Sequence, residues 1–294
     1  MIDVIYNPVA GLGRASRINR VRSILSARGT DFRIRETGGP GEAVLMAREA
    51  AHAGAETVIA VGGDGTFNEV ANGLAGSATS LLAIPGGTGN VFAKELLLPS
   101  SVEGCLALLE TGKTISIPLA KANDRYFVLL ASAGFDAEVV ERMTHRMKNT
   151  LGIAAYVLVG ARHILRAQPT LWLELPGRER IEAQSVILAR GKKYGGDVTI
   201  APGGNLAGNT FQVVALLRKG RLAIARFALD ALRGKHSASP HVLIRETPFL
   251  VVRCRIPSAA QVDGDYLGTL PVRFAVTDVP LRLVVPREFP VLPG

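Results

Sequence analysis

The chain has 294 residues, 48% of them hydrophobic, with two cysteines and a formal net charge of +9. That length and apolar content suit two folded domains and exclude a disordered or fibrous chain, and no apolar run approaches the roughly 20 residues needed to span a bilayer. The basic excess points to anionic partners, but aromatics, at 5%, do not interleave with the basic residues, so no nucleic-acid partner is expected.

The first residues enter a strand at once, without the pattern of a secretory signal, and Cys105 and Cys254 match no metal spacing. Buried free thiols in a reducing cytoplasm are expected. Up to about Ile117, short apolar runs alternate with helical stretches, which predicts a parallel sheet covered by helices. Strands are expected over Ile2–Tyr6, Phe32–Thr37, Thr57–Val61 and Ser80–Ile84. Helices are expected over Arg17–Ala27, Gly41–Ala53, Asn68–Leu74, Val91–Leu96 and Val102–Glu110. From Ile115 the runs become short, β-rich and divided by Gly, Pro and Asn: Ile115–Lys121, Tyr126–Ala133, Leu171–Leu175, Ala183–Ala189, Phe211–Leu217, His241–Arg245, Pro248–Arg255 and Val272–Val276. That texture predicts a sandwich, interrupted by helices over Ala137–Arg166, with a break near Gly152, and over Leu222–Leu232. The expected division is residues 1–118, an α/β domain, and 119–294, a β-rich domain.

Val58–Leu74, VIAVGGDGTFNEVANGL, passes from strand through glycine turn to helix without a gap. Gly62, Gly63 and Gly65 leave the backbone bare, so that N–H groups can approach an anion. The following helix turns its unsatisfied N–H groups and positive dipole end to the same place. In a plain strand-to-helix turn, Asp64 or Thr66 would cap that helix and Glu69 would be an acid near its N-terminus. Three glycines around one carboxylate, with Thr66 and Asn68 alongside, favour a phosphate cradle in which Asp64 meets a metal ion or a reacting hydroxyl.

Leu81–Ala93, LLAIPGGTGNVFA, repeats the pattern, with Thr88 as hydroxyl donor and Asn90 as cap. Two such units side by side would aim two helix N-termini at one crevice beyond the strands, a nucleotide's address. NPVAGLG (Asn7–Gly13) is a third strand-to-helix loop, though it lacks the last glycine of the dinucleotide fingerprint. DGD at Asp263–Asp265 reads first as a hairpin turn. Paired carboxylates on a tight turn also supply a base for a hydroxyl and a partner for a metal-bound water. Basic residues of Arg218–Lys235 surround Leu222, Phe227, Leu229 and Leu232, either as a solvated helix face or as one that rests on anionic lipid. There is no GxSxG elbow and no HExxH metal pattern.

NPVAG, GGDGTFNEVANGL, PGGTGNVFAKEL, AGFDAEVV, YGGDVTIAPGG, GKH and VDGDYLG occur in the order seen in the diacylglycerol kinase catalytic-domain family, and the chain resembles that family through essentially its whole length. GGDGT alone is shared with NAD kinases; NEVANGL and PGGTGN argue against them. The resemblance implies a three-layer α/β nucleotide-binding domain and a β-sandwich-like lipid-binding domain, with the site in the cleft between them and the last strand, about Leu281–Val285, packing back on the first. It implies ATP-dependent transfer of the γ-phosphoryl group to a lipid hydroxyl, with Mg²⁺ accompanying the nucleotide. Carried over, Asn7, Pro8, Val9, Ala10, Gly11, Thr37, Gly62, Gly63, Asp64, Gly65, Thr66, Phe67, Asn68, Glu69, Gly87 and Thr88 would hold nucleotide and phosphates. Asp263 or Asp265 would deprotonate the acceptor, and Asp64 would position it or the metal, the choice of base among the three staying open. The expected setting is cytoplasmic, at the anionic inner membrane face. Alternatives are a non-catalytic nucleotide-binding protein of this fold, or an NAD kinase.

The chain departs from the family in three places. An aspartate expected after the first domain falls on Pro118, and an LxDGxF element falls on LAGNTF (Leu206–Phe211), which has no carboxylate. Asp265 stands where relatives carry Glu, shorter by one methylene, about 1.5 Å of reach.

Overall fold

The computed structural model describes residues 1–9, 14–87, 89–143, 147, 153–165 and 169–290, which divide into two units: Met1–Leu119 with the segment from Asp278 onward, and Ala120–Thr277.

The first unit opens with β1 (Ile2–Tyr6), α1 (Arg14–Ala27), β2 (Phe32–Glu36), α2 (Glu42–His52), β3 (Thr57–Gly62), α3 (Asp64–Leu74), β4 (Ser80–Pro85), α4 (Val91–Glu95) and α5 (Val102–Thr111). β1 pairs in parallel with both β2 and β3, and β3 with β4, so that Val4 lies between Ile34 and Ile59, and Val61 opposite Ile84. Central strands buried on both faces need apolar residues in succession rather than in alternation, and all six residues of β4 are buried. Val4, Tyr6, Ile59, Val61, Leu82 and Ile84 pack under Ile18, Val21 and Leu25 of α1 and Cys105, Leu106 and Leu108 of α5. The alternate side chains turn to the other face, where α2 and α3 lie together. Their approach is set by Gly73, where an added Cβ would stand 2.4 Å from the Val44 carbonyl oxygen and 2.6 Å from Ala47 Cβ.

The second unit follows from β5 (Lys113–Ala122), in which the division falls, through β6 (Arg125–Phe127), β7 (Leu130–Gly134), α6 (Phe135–Glu141), α7 (Ile153–His163), β8 (Leu171–Glu174), β9 (Arg180–Ala183), β10 (Ser185–Ala189), β11 (Lys193–Tyr194), β12 (Val198–Thr199), β13 (Phe211–Leu216), α8 (Arg221–Leu232), β14 (Val242–Thr247), β15 (Phe249–Cys254), β16 (Ala259–Val262) and β17 (Asp265–Thr269) to β18 (Val272–Val285), whose residues from Asp278 belong to the first unit. Six strands form an antiparallel sheet in the order β14-β13-β10-β7-β16-β17. A second layer pairs β9 with β8, β8 with β15, and β15 with the first residues of β18. Between the layers lie Ala131, Ala133, Val186, Leu188, Val213, Ala215, Ala260 and Val262 from one side, and Leu171, Leu173, Leu250, Val252, Val272 and Phe274 from the other. Phe127 stacks on Phe211 at 6.1 Å between ring centres and meets Phe274 edge-on at 6.5 Å. This is a sandwich of antiparallel strands, as the β-rich texture predicts.

Several expectations need correction. α3 starts at Asp64, four residues before the expected Asn68, which puts Asp64 and Thr66 inside the first helical turn. The run Tyr126–Ala133 is two strands, and Val272–Val276 and Leu281–Val285 are parts of one 14-residue strand. Pro280 reads as a break because it donates no ladder bond, but it lies between the stretch paired with β15 and the stretch (Arg282, Leu283) paired in parallel with β4. The long helix expected over Ala137–Arg166 is seen as α6 and α7, and its expected break near Gly152 lies outside the described residues. Both thiols are free, but Cys254 is only half-buried. Burial pushes the Cys105 thiol up to about 12.

Replacing Gly73 with Ala forces α2 and α3 apart. We expect a loss of about 1–3 kcal/mol in urea unfolding, and an unchanged midpoint would refute the close approach.

Candidate functional site

β3 and β4 are adjacent parallel strands, and the loops leaving their carboxyl ends touch. A Cβ on Gly87 would stand 3.0 Å from Gly63 Cα, and the Gly86 N–H donates to the Gly62 carbonyl at 2.7 Å. Gly62 is equally confined, since a Cβ there would stand 2.6 Å from Thr66 Oγ1. The glycines thus serve close packing between two loops as well as bare backbone.

Asp64 does not cap its own helix. Its Oδ1 accepts from the Phe92 N–H at 2.9 Å and its Oδ2 from the Val91 N–H at 3.1 Å, so it caps α4 across the loop contact. Burial pushes this carboxyl above the ordinary aspartate value, opposed by the two N–H groups and by the charge of Lys94. Glu69 acts in the same way on α2: it accepts from Gly41 N–H at 2.9 Å and Ala43 N–H at 3.2 Å. Of the two helix N-termini expected at one crevice, that of α4 has its Val91 and Phe92 N–H groups taken by Asp64, while α3 begins directly after Gly63.

Asn7 joins the first loop to the second, donating from Nδ2 to Thr66 Oγ1 at 3.0 Å while its Oδ1 accepts from the Val9 N–H. Pro8 and Val9 form the turn after β1, with Val9 exposed. Arg17 of α1 reaches the loop after β4, its Nη1 3.1 Å from where a Gly86 Cβ would be. Thr37 and Asn68 are buried, and Thr37 is bonded to the Tyr6 carbonyl through its N–H at 2.9 Å. Phe67 is fully buried and packs on Phe92 at 5.4 Å between ring centres, which ties α3 to α4 through apolar contact as well. Gly65 leaves open space where a side chain would be. Ala10, Gly11 and Thr88 lie outside the described residues.

In the second unit DGD is a hairpin turn between β16 and β17, with Asp263 and Gly264 both at positive φ. The Asp263 carboxylate accepts three successive N–H groups, from Val128 at 2.8 Å and from Leu129 and Leu130 at 2.9 Å. Asp265 is placed differently: half-buried, it pairs with Arg125 at 2.9 Å. Sequence reasoning missed a polar cluster beside this turn. Asp136, at the start of α6, accepts from Ser132 Oγ, Tyr194 OH and, at 3.2 Å, Gln261 Nε2. Gln261 in turn accepts from the Gly264 N–H at 2.8 Å. The signal was present in AGFDAEVV, where a carboxylate follows an apolar strand and a glycine.

No group of three His, Cys, Asp or Glu side chains able to hold a metal ion forms among the described residues. The LAGNTF segment is occupied otherwise. Arg190, 1% exposed, donates to the carbonyls of Leu206, Gly208 (2.8 Å) and Thr210 (3.5 Å). Burial lowers its guanidinium to about 10, still charged at neutral pH. Converging carbonyls with no carboxylate are met here by a cation of the chain itself, so the residues present do not fit a structural metal.

Residues 2–122 match the diacylglycerol kinase catalytic domain, and residues 130–287 match the YegS C-terminal NAD kinase beta sandwich-like domain. The chain is 30% identical over 293 residues to the diacylglycerol kinase of Bacillus subtilis (strain 168), covering 97% of this chain and 96% of the relative. It is 27% identical over 290 residues to that of Staphylococcus aureus (strain MRSA252), covering 97% and 92%. A solved diacylglycerol kinase structure from Bacillus anthracis str. Sterne superposes with a TM-score of 0.76 at 20% identity, covering 98% of both chains, and a second from the same organism with 0.82 at 22%, covering 98% and 96%; these two bear on the fold alone. The architecture is that of a two-part kinase, an α/β unit with paired glycine loops and an antiparallel sandwich. The chain belongs to the diacylglycerol kinase family.

Removing the Asp263 carboxylate orphans three N–H groups at once. Asp263→Ala is expected to cost about 3 kcal/mol or more in urea unfolding, whereas Asp265→Ala, which breaks a partly exposed ion pair, costs at most about 1 kcal/mol. Equal losses would overturn this division. Arg190→Met is expected to cost about 2–4 kcal/mol for the same reason. EDTA is expected to leave the melting temperature of the unaltered chain unchanged; a drop restored by Mg²⁺ would show a metal holding the turn.

Proposed function

We propose that the chain is an ATP-dependent lipid kinase that passes the γ-phosphoryl group to a free hydroxyl of diacylglycerol or a related lipid. The observation that carries this reading is the contact of the two glycine loops at the ends of β3 and β4, locked by Asp64 beside the N-terminus of α3. Phosphoryl transfer needs little covalent chemistry from the protein, so rigid positioning and positive potential must supply the rate. The α3 N-terminus with its dipole and the Arg17 guanidinium together suit a polyphosphate. Asn7, Thr66 and Asn68 give this wall its polar side chains, while Thr37, Phe67 and Glu69 support it. Mg²⁺ would arrive on the nucleotide's own phosphates and neutralise charge there.

The acceptor base is assigned to Asp265. Asp263 is committed to three backbone donors, which engage both of its oxygens. Asp265, half-buried beside Arg125, stands in the position where the family carries glutamate. The names of the relatives support diacylglycerol as the first acceptor to try. Action at the cytoplasmic face of a membrane is part of the same proposal; no helix among the described residues is long and apolar enough to cross one.

The test is incubation with labelled ATP and Mg²⁺ together with diacylglycerol, a sphingoid base, ceramide or NAD in detergent micelles. Label is expected in a lipid, diacylglycerol first. Bound nucleotide with no labelled lipid would refute the proposal, and label in NAD would make the chain an NAD kinase. Asp265→Asn is expected to lower kcat about 10²- to 10⁴-fold with little change in KM for ATP.

A further inference from the structure

Helix α8 carries an outward face that the kinase reading leaves unused. Its inner face is fixed: Ile224 and Ala231 are buried, and Phe227 packs with Ala231 on Ile187, Ile200 and Val214. Just beyond the helix, His236 is buried, meets Phe227 edge-on and bonds the Ile200 carbonyl at 2.8 Å. The opposite face should then be polar. Instead Leu222 is 87% exposed, Leu232 70% and Leu229 45%.

At 100° per residue, Leu222 and Leu229 lie one above the other, a heptad apart, and Leu232 flanks them. Arg226 and Arg233 project from the same side, Arg221 borders it, and Arg218, Lys219 and Lys235 extend the charge at both ends; all six are exposed. The helix holds a single acid, Asp230, which pairs with Arg226 at 3.5 Å. Lys219 is held by Glu182 at 2.9 Å.

We propose that this face is a membrane-docking surface for an anionic bilayer. α8 would lie in the plane of the interface, with Leu222, Leu229 and Leu232 entering the acyl boundary and the arginines meeting lipid phosphates. An acidic protein would match the charge, but leucines within a cationic stripe are the pattern of interfacial helices, where apolar insertion and attraction to anionic headgroups act together. The choice of a bilayer rests on the lipid-kinase reading: an acceptor with acyl chains is presented at such a surface. The docking face belongs wholly to the second unit, and no residue in it has been given a role in phosphoryl transfer.

The experiment is cosedimentation of the full chain with vesicles of phosphatidylglycerol or of phosphatidylcholine, with polyglutamate as a soluble polyanion control. The variants are Leu222→Glu/Leu232→Glu and Arg221→Gln/Arg233→Gln, whose side chains are exposed, so circular dichroism melts are expected to be unchanged. Unaltered protein is expected to bind phosphatidylglycerol vesicles about tenfold or more tightly than phosphatidylcholine. The leucine variant is expected to lose about tenfold or more of that binding even at low salt. The arginine variant should lose about fivefold or more, with the remaining charge-dependent part vanishing at high salt. Absence of vesicle binding, or variants that bind like the unaltered chain, would overturn the proposal. So would polyglutamate that displaces the unaltered chain and the leucine variant from vesicles with equal effect. Label transfer in detergent micelles, run in parallel, is expected to be the same for all forms. Its failure would count against the kinase reading alone, since vesicle binding is read without it.

Discussion

A sharp turn that leads into a helix or out of a strand leaves successive backbone N–H groups pointing one way, and burying one without an acceptor costs about 1–3 kcal/mol. In this chain the acceptors at three such turns are carboxylates. Asp64 holds the start of α4, Glu69 the start of α2, and Asp263 the run Val128–Leu130. Charge-assisted bonds of this kind are stronger than neutral ones and fix direction as well as distance. The consequence in the first unit is that two glycine loops, each pliable alone, behave as one piece: Gly63 on Gly87, Gly86 bonded to Gly62, and Asp64 across the seam.

The sandwich places its own polar groups by a simpler rule. Along a strand side chains alternate between faces, so Ala131 and Ala133 of β7 and Ala260 and Val262 of β16 enter the core while Ser132 and Gln261 leave by the other face. There they meet Asp136, and Gln261 passes the connection on to the DGD turn. The same outer face carries Ile187 and Val214 farther along the sheet, and α8 covers them. One sheet therefore supports a polar cluster beside a candidate base and a helix with a greasy, basic exterior. Arg190 belongs to the same economy of internal partners, its guanidinium gathering carbonyls that a metal ion would otherwise have to satisfy.

The parallel sheet was legible because β3 and β4 are buried on both faces and read as apolar runs, and β1 reads so apart from Asp3. β16 (AAQV) and β17 (DYLGT) were not, since alanine, glutamine, aspartate and glycine carry little strand preference, and the pairing of β16 with β7 and of β17 with β16 makes them strands. Glycine loops were legible as loops lying side by side, but the bonds that fasten them were not. That Asp64 answers Phe92 and Glu69 answers Gly41 is a relation across 28 residues of chain in each case, and no local pattern encodes it. For the same reason Asp263 looked like half of a reactive pair, whereas its neighbours 133 to 135 residues away make it a fastener.

Asp64 shows how fastening and chemistry can share one group. Its carboxyl titrates above an ordinary aspartate because burial opposes the anion more than the Phe92 and Val91 N–H groups and Lys94 favour it. A raised native value means that the folded chain holds this proton better than the unfolded one. The burial penalty is thus present above the native pKa and relieved as pH falls through it, so acid does not unfold the protein on account of Asp64. What acid does change is local: a protonated carboxyl keeps a weaker grip on two N–H groups, and the seam between the glycine loops loosens while the sheet beneath stays intact. A polyphosphate brought close to the same carboxylate would raise its pKa further, unless Arg17, the α3 N-terminus or a cation arriving with the phosphates cancels that charge. Were a polyphosphate to bind there, positive groups around the loops would serve twice, once to hold the anion and once to keep ionised the residue that holds the loops.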